Sequence, residues 1–459
     1  VGFVVLCAWD ATAPAQSAPA FHTQPPALRQ LPSVPHPELV PPPVNVPLFL
    51  PPALMPASAR RRVNEFYVPL TLRRQRQRNL EPPDARDAFT LRTSSGILAQ
   101  LSLAVQAELR ATDNVNSAPR PLAEADTILE VTMLAHLTAG GSGALQPESS
   151  TDPEYYLDAS YAPTSHQLLR AGTSDFLQHL AARAGYASQV MHTGVRIAYD
   201  EDLFASGSES SPEENFTVLE GGPFFEYRPS AKTTIHARGD LHRITLKEPG
   251  GNRIDRTAEA GIDCDLSVKT TAGLGAAVGH IDFDQSRFGT QDFEQCFAVL
   301  VWKATPTVNI RAQAGAEFRQ FSRPVPKDSI VSGVALAALD WRPDERTRVS
   351  AAFRVQNQPS TVQNGALFRE TRYAIEAQHD IGTHFYISGD AEHVGRHYDT
   401  GRDESELTLR PAIGYQLVSG ALLDSVKMEL FYQLRRHWNH GAGGDYTRNQ
   451  AGMQMTVFF

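Results

Sequence analysis

The chain has 459 residues, of which 41% are hydrophobic and 20% are Asp, Glu, Lys or Arg, with a net charge of −9 and three cysteines. No run approaches the ~20 consecutive apolar residues of a spanning helix, the acidic balance does not suit a nucleic-acid binder, which carries a dense basic face, and three cysteines make no disulfide framework. Length alone suggests roughly three ordinary domains, a count that the patterning below replaces.

Residues 1–93 differ in kind from the rest. They hold 17 of the 32 prolines and 10 Arg against 6 acids, which leaves residues 94–459 with 32 Lys and Arg against 45 acids. Val1 to Trp9 is apolar and leads into Ala13-Pro14-Ala15 and Ala18-Pro19-Ala20, similar to the back half of a secretory signal with its A-x-A cleavage site. Residues 1–20 therefore read as a clipped signal peptide remnant. Cys7 follows Leu6 rather than the small residue of a lipobox. In 21–93, Pro41-Pro42-Pro43, Pro51-Pro52 and Pro82-Pro83 remove backbone donors and favour extended polyproline. This Pro/Arg-rich segment is expected to be disordered and, after export, periplasmic. Arg60-Arg61-Arg62 and the run from Arg73 to Arg78 read as solvated basic linker.

From residue 97 a two-residue alternation takes over. Leu101, Leu103, Val105, Ala107 and Leu109 are apolar, with Ser102, Gln106, Glu108 and Arg110 between them. Side chains on a strand alternate between faces, so this gives one apolar and one polar face. Turn signals divide the region into eighteen strands, at about 97–113, 127–140, 155–168, 175–187, 189–203, 215–229, 232–246, 254–269, 271–284, 291–304, 307–321, 330–342, 346–358, 368–381, 384–397, 405–418, 424–439 and 446–459. Short connections such as Pro229-Ser230-Ala231-Lys232 alternate with longer polar ones such as 204–214. An up-and-down meander follows, with tight turns at one end.

Alternation alone does not say which face is wet, because a soluble sandwich also alternates. Four features favour a closed transmembrane barrel over 94–459. Strands of about 13 to 17 residues far exceed the usual ~5 to 6. Closure removes the open edges of so long a meander. Charged residues and His stand on the polar face of nearly every strand. Trp302, Trp341, Tyr227, Phe283, Phe321, Tyr398 and Trp438 gather near strand ends, as interfacial girdles do. Against the scheme stand Pro223 and Pro411 inside strands, which mark bulges or misplaced boundaries, and Gly275, Ala277 and Gly279 on a supposedly polar face.

The last strand alternates Ala451, Met453, Met455, Val457 and Phe459 with Gln450, Gln454 and Thr456. This resembles the C-terminal signature of bacterial outer-membrane barrels, in which a terminal aromatic is read by the assembly machinery. Met455, Val457 and Phe459 would carry that signal. Thr112-Asp113-Asn114-Val115, Asp126-Thr127-Ile128 and Tyr227-Arg228-Pro229-Ser230-Ala231-Lys232-Thr233 resemble motifs of the β-barrel porin family associated with exopolysaccharide gene clusters. The resemblance implies an outer-membrane location with lipid and lipopolysaccharide as surroundings, and a porin-like channel for small hydrophilic solutes or an accessory to exopolysaccharide export.

Nucleophile elbow, phosphate loop and HExxH are absent, and no cofactor is expected. His393 and His397 are four apart, ~13 Å on a strand at ~3.3 Å per residue, too far to share a metal. Asp399, Asp403, Glu404 and Glu406 read as solvated loop charge rather than a calcium site. Ser388 with a neighbouring His is the weak case for a lipase or protease. Cys264 falls on the apolar face and Cys296 on the polar one, so no bridge is expected. The candidate lumen residues are Arg238, Asp240, Arg311, Glu317, Arg319, Arg354 and Arg435, whose charges would set ion and solute preference in an aqueous interior or pair and fill it. A channel, a non-conducting structural or adhesive barrel and a barrel enzyme are the three readings, in that order.

Overall fold

The computed structural model describes residues 89–92, 98–114, 124–140, 154–188, 190–202, 216–246, 252–284, 289–325, 327–359, 367–399, 401–418, 425–439 and 445–459. Residues 1–20 and nearly all of 21–93 lie outside these, as do their sequence expectations. The strands are β1 Phe89–Arg92, β2 Leu98–Thr112, β3 Asp126–Gly140, β4 Glu154–Tyr161, β5 Thr164–Leu168, β6 Thr173–Leu177, β7 His179–Ala187, β8 Met191–Asp202, β9 Phe216–Ser230 and β10 Thr233–Leu246. There follow β11 Arg253–Ser267, β12 Thr270–Phe283, β13 Thr290–Thr305, β14 Val308–Val325, β15 Lys327–Trp341, β16 Thr347–Pro359, β17 Leu367–Ile381, β18 Phe385–Tyr398, β19 Asp403–Val418, β20 Ser425–Asn439 and β21 Tyr446–Phe458.

All of them belong to one antiparallel sheet, and the sheet closes. β2 pairs with β3 along its whole length and, on its other edge, with β21 from Ala104↔Phe458 to Thr112↔Gln450. Phe459 N–H continues the seam by donating to Leu103 O at 2.9 Å. The wall has eighteen strands because two of them are broken in the middle. β4 and β5 both pair with β3 and are separated at Ala162-Pro163, where Pro163 has no N–H for the ladder. β6 and β7 face them as the next wall strand, β6 on β5 and β7 on β4. β1 is extra. It pairs with Leu98–Leu101 on the edge of β2 that β21 stops short of. The segment expected to be disordered to residue 93 thus ends in a short strand, placed where an open backbone edge is left to satisfy.

The two prolines are neither bulges nor boundary errors. Pro223 stays in register with Val195 of β8, and Pro411 with Gly389 of β18. On its other side each interrupts the ladder without shifting it: β9 pairs β10 at Phe224↔Arg238 and Gly221↔Leu241, and β19 pairs β20 at Leu409↔Leu434 and Ala412↔Phe431. A missing donor costs the local rungs, and the long register on either side holds the strand in place.

Burial runs opposite to that of a soluble sheet. Large apolar side chains look outward and stay exposed, Met133 at 57%, Leu274 at 66%, Ile413 at 62% and Leu430 at 62%. Charged and amide side chains are buried, Arg319 at 0%, Glu317 at 1% and Gln454 at 3%. At the tight-turn end an outward belt collects Tyr155, Tyr227, Trp302, Trp341 and Phe385, with Tyr155 and Tyr186 ring centroids 5.3 Å apart and those of Phe385 and Tyr415 4.9 Å apart. Phe283 and Tyr398, expected in the girdles, instead turn inward: Phe283 packs on Ile281 and Phe293, and the buried Tyr398 donates to Glu404.

Strand β12 resolves its own ambiguity. Leu274 and Val278 are outward, so Gly275, Ala277 and Gly279 face in. A Cβ on Gly275 or Gly279 would meet the rings of Phe297 or Phe293. The glycines make room for two inward phenylalanines of β13, and with Ala277, Ile281 and Val299 these form an apolar stripe on an otherwise polar face. The same displacement corrects Cys296, which is exposed on the outward face with Leu300 and Trp302; Cys264 is exposed as well, and both are free thiols.

Candidate functional site

The polar face of the wall divides into three stretches. Along β16–β20, guanidinium and carboxylate groups interleave across the strands. Glu370 receives Arg354 Nη2 at 2.6 Å and lies 3.5 Å from Arg372 Nε and 3.7 Å from Arg396 Nε. Arg372 also reaches Glu392 at 2.8 Å, and Arg435 donates to Glu406 at 2.8 Å. Glu404 meets Arg396, Arg402 and the Tyr398 hydroxyl. Glu404 and Glu406, expected as solvated loop charge, are therefore members of a buried ionic row. The register places them on inward positions of β19, where guanidiniums from β18 and β20 take up their charge.

On β13 and β14, Glu317 accepts from Arg319 at 2.8 Å and from Gln295 at 2.6 Å, and Arg319 donates to Gln291 at 2.8 Å. The Arg319 guanidinium lies 5.1 Å from the Phe293 ring centroid. Arg311 is buried on the same face, two residues from the Asn309↔Asp340 rung.

The third stretch, β8–β11, is richer in acid. On β10 and β11 the inward acids Asp240, Asp255, Glu259, Asp263 and Asp265 stand with Arg238 and Arg253. Arg238 contacts Asp240 at 3.7 Å and Glu259 at 2.9 Å, Arg196 of β8 donates to Asp240, and Arg253 lies 3.3 Å from Asp255. Two histidines complete the column: His242 Nδ1 is 3.3 Å from Asp255 Oδ2, and His236 Nδ1 is 3.3 Å from Asp263 Oδ2. Gly261 and Gly273 leave the space that the His236 ring and the Asp263 carboxylate occupy.

One strand leaves the wall. The β15–β16 ladder runs only from Ala335↔Val355 to Trp341↔Val349, while β16 keeps pairing with β17 as far as Pro359↔Leu367. Beyond Val355, β16 has a new set of partners. Asn357 donates to Glu317 Oε1 at 3.0 Å and to Ser332, and the Pro359 carbonyl accepts from Arg253 Nη1 at 2.8 Å. Five strand spacings separate β11 from β16, ~24 Å along the wall, far beyond the reach of an arginine. Arg354, Val355, Gln356 and Asn357 are buried in succession, as a strand enclosed on both faces must be. The upper end of β16 therefore turns into the lumen. Between it and the β8–β11 wall lies an open cavity with about 590 Å³ of empty space, adjoining solvent included, bordered by Arg196, Asp240, His242, Arg253, Asp255 and Asn357 among others. A second, of about 420 Å³, lies at the tight-turn end beside Asp340, Arg348 and Glu376.

Of the seven candidate residues, Arg238 and Asp240 lie on the acid-rich wall, with Asp240 at the larger cavity. Glu317, Arg319, Arg354 and Arg435 are locked in pairs. Asp255, His242, Arg253 and the end of β16 were not singled out from sequence; the one available signal was the break in alternation at Gln356-Asn357-Gln358. Ser388 stands opposite Gln378 and Ala412, so neither rung supplies a histidine. His393 and His397 are exposed on the outward face, and His397 pairs with Asp403. Among the described residues no group of three or more His, Cys, Asp or Glu could hold a metal.

No family model matches the chain. No curated protein matches it. The exopolysaccharide-type motifs thus remain a resemblance in short segments. Solved structures with a similar course include OccK1 (OpdK) of Pseudomonas aeruginosa, at 10% identity, TM-score 0.46, over 79% of this chain and 99% of that one. Others are OccK2 (OpdF) of the same organism, at 11%, TM-score 0.45, 78% and 98%, and OccAB3 of Acinetobacter baumannii, at 9%, TM-score 0.44, 79% and 99%. At these scores the likeness adds nothing to the strand register described above, which by itself defines a closed eighteen-strand antiparallel barrel.

Proposed function

We propose that the chain is a porin-like channel for small hydrophilic solutes in a bacterial outer membrane. One observation carries this reading: a closed wall that exposes its large apolar side chains outside and buries its ionic side chains inside. In water such an apolar exterior would be an aggregation surface; against hydrocarbon it is the stable arrangement, because closure leaves no unpaired backbone in lipid. Unbroken wall strands of 12 to 18 residues at ~3.3 Å per residue and a tilt near 40° stand ~30 to 45 Å tall, enough to cross an apolar band of ~25 Å and project beyond it. The end that holds the tight turns, the start of β2 at Leu98 and the seam residue Phe458 is the periplasmic one, with Met455, Val457 and Phe459 offered there to the assembly machinery. Small solutes are preferred to a polysaccharide because the β16 end, tied to β11 and β14, lies across the lumen.

Full-length protein in a planar bilayer tests the reading. Discrete conductance steps with a preference for cations are expected. A barrel that folds, inserts and carries no current overturns the channel in favour of a structural or adhesive surface protein, and hydrolysis of lipid or peptide by the pure protein would favour an enzyme.

A further inference from the structure

The geometry points to the larger cavity as a binding subsite for a small organic cation, a protonated amine, held by Asp255, Asp240 and His242. This deepens the channel reading and rests on it. Three features of the cavity converge. The first is charge: among its lining groups Glu220, Asp240 and Asp255 outnumber Arg196 and Arg253, and the acids continue below it on the same face as Glu259 and Asp263.

The second is an acceptor without a donor. His242 is 3% exposed and borders the cavity. Its Nδ1 faces Asp255 at 3.3 Å, while Nε2 has no hydrogen-bond partner among the described residues. A carboxylate on Nδ1 fixes the proton there and leaves the Nε2 lone pair to accept. A buried acceptor without a donor is unfavourable, and a solute bringing N–H or O–H groups satisfies it.

The third is that the cations present are already committed. Arg196 serves Asp240, and Arg253 serves Asp255 and the Pro359 carbonyl. An anionic solute would have to displace these contacts, whereas an ammonium adds donors to oxygens that already converge. The cavity also lies where the β16 end narrows the lumen, so a solute passing that end meets these groups.

Protonated glucosamine, with glucose and N-acetylglucosamine as uncharged rings of the same kind, makes the test. Single-channel current through the full chain should be interrupted by glucosamine in a saturable way, with an affinity about tenfold or more above that for the neutral sugars, the difference one charge-assisted contact gives. Asp255→Asn should abolish the selectivity. Because that change also loosens Arg253, His242→Gln provides the second variant and should weaken glucosamine binding toward that of the neutral sugars. Titration of the detergent-solubilised protein with the same three sugars reads binding without conduction. Current that glucosamine leaves untouched, together with no preference in the titration, overturns the subsite while the channel stands. Glucosamine-selective binding in a protein that carries no current supports the subsite and overturns the channel.

Discussion

The β16–β20 wall and the β8–β11 wall are written in the same alternating pattern, yet they do different things with their charges. Along β16–β20 carboxylates and guanidiniums alternate across the strands, and Glu370 has three guanidiniums within 3.7 Å. Around Glu370 that stretch is close to neutral and densely paired, as charges that hold a wall together are. Along β8–β11 acids exceed the cations, glycines open slots for side chains, and a cavity remains. A buried ion pair costs desolvation energy that its attraction only offsets when the geometry is complete. The contrast teaches that balanced pairing marks structure in this interior, whereas surplus acid on the β8–β11 wall leaves charge available to a ligand.

The largest effect should come from breaking the paired wall. Glu370→Gln leaves Arg354, Arg372 and Arg396 without their shared counter-charge, and removing one member of a buried pair costs about 3–5 kcal/mol. The folded barrel should lose its retarded mobility on an unheated denaturing gel at a clearly lower temperature than the parent. If Glu370→Gln melts with the parent, the wall is solvated and the contrast fails.

Next comes the other face of the same strand. Ile375 is outward on β17 and 54% exposed, near mid-strand. Ile375→Arg should cost about 2–4 kcal/mol in lipid, read as the change in unfolding free energy in reconstituted bilayers. The same substitution in a water-facing sheet would be close to neutral, so this measurement separates lipid from solvent outside the charged interior.

The wall was readable from sequence because its rule is strict. A one-residue slip would turn every inward charge to lipid, and the eighteen ranges follow that rule closely. Cys296 was misplaced because β13 carries apolar residues on both faces, Phe293, Phe297 and Val299 inward with Leu300 and Trp302 outward, so alternation fades there. Which polar-face charges are paired was not readable. Arg354 and Glu370 are joined by register across a hairpin, and Arg253 and Pro359 lie 106 positions apart. No local pattern marks a strand that bends off its neighbour, and Gln356-Asn357-Gln358 looks like the approach to a loop.

A smaller effect tests the bend from the acid-rich side. Arg253→Gln removes the contact to the Pro359 carbonyl and the pairing with Asp255, and a charge-assisted hydrogen bond contributes about 1.5–3 kcal/mol. The β16 end should then return toward β15, so single-channel conductance should rise while the melting behaviour changes less than for Glu370→Gln. Unchanged conductance would mean that the bonds of Asn357 to Glu317 and Ser332 hold the β16 end without Arg253, and Arg253 would belong with the structural charges of the opposite wall.

The smallest effect is expected at the turn that leads into β16, outside both interiors. Asp344 accepts from the Arg346 backbone N–H at 2.8 Å and from the Thr347 hydroxyl at 3.1 Å. These bonds, the Arg346 amide first, hold its carboxyl below the ordinary carboxylate pKa. A pKa lower in the folded state than in the unfolded one means that folding favours the charged form. The stabilisation is therefore fully present above the unfolded carboxylate value and fades as pH falls through the folded one. Denaturant midpoints of the parent and Asp344→Asn should differ slightly at neutral pH and converge in acid. Glu370→Gln should remain far less stable than the parent at neutral pH, so the ratio of the two effects there measures how much more a charge matters in the paired wall than at the water-exposed turn feeding it.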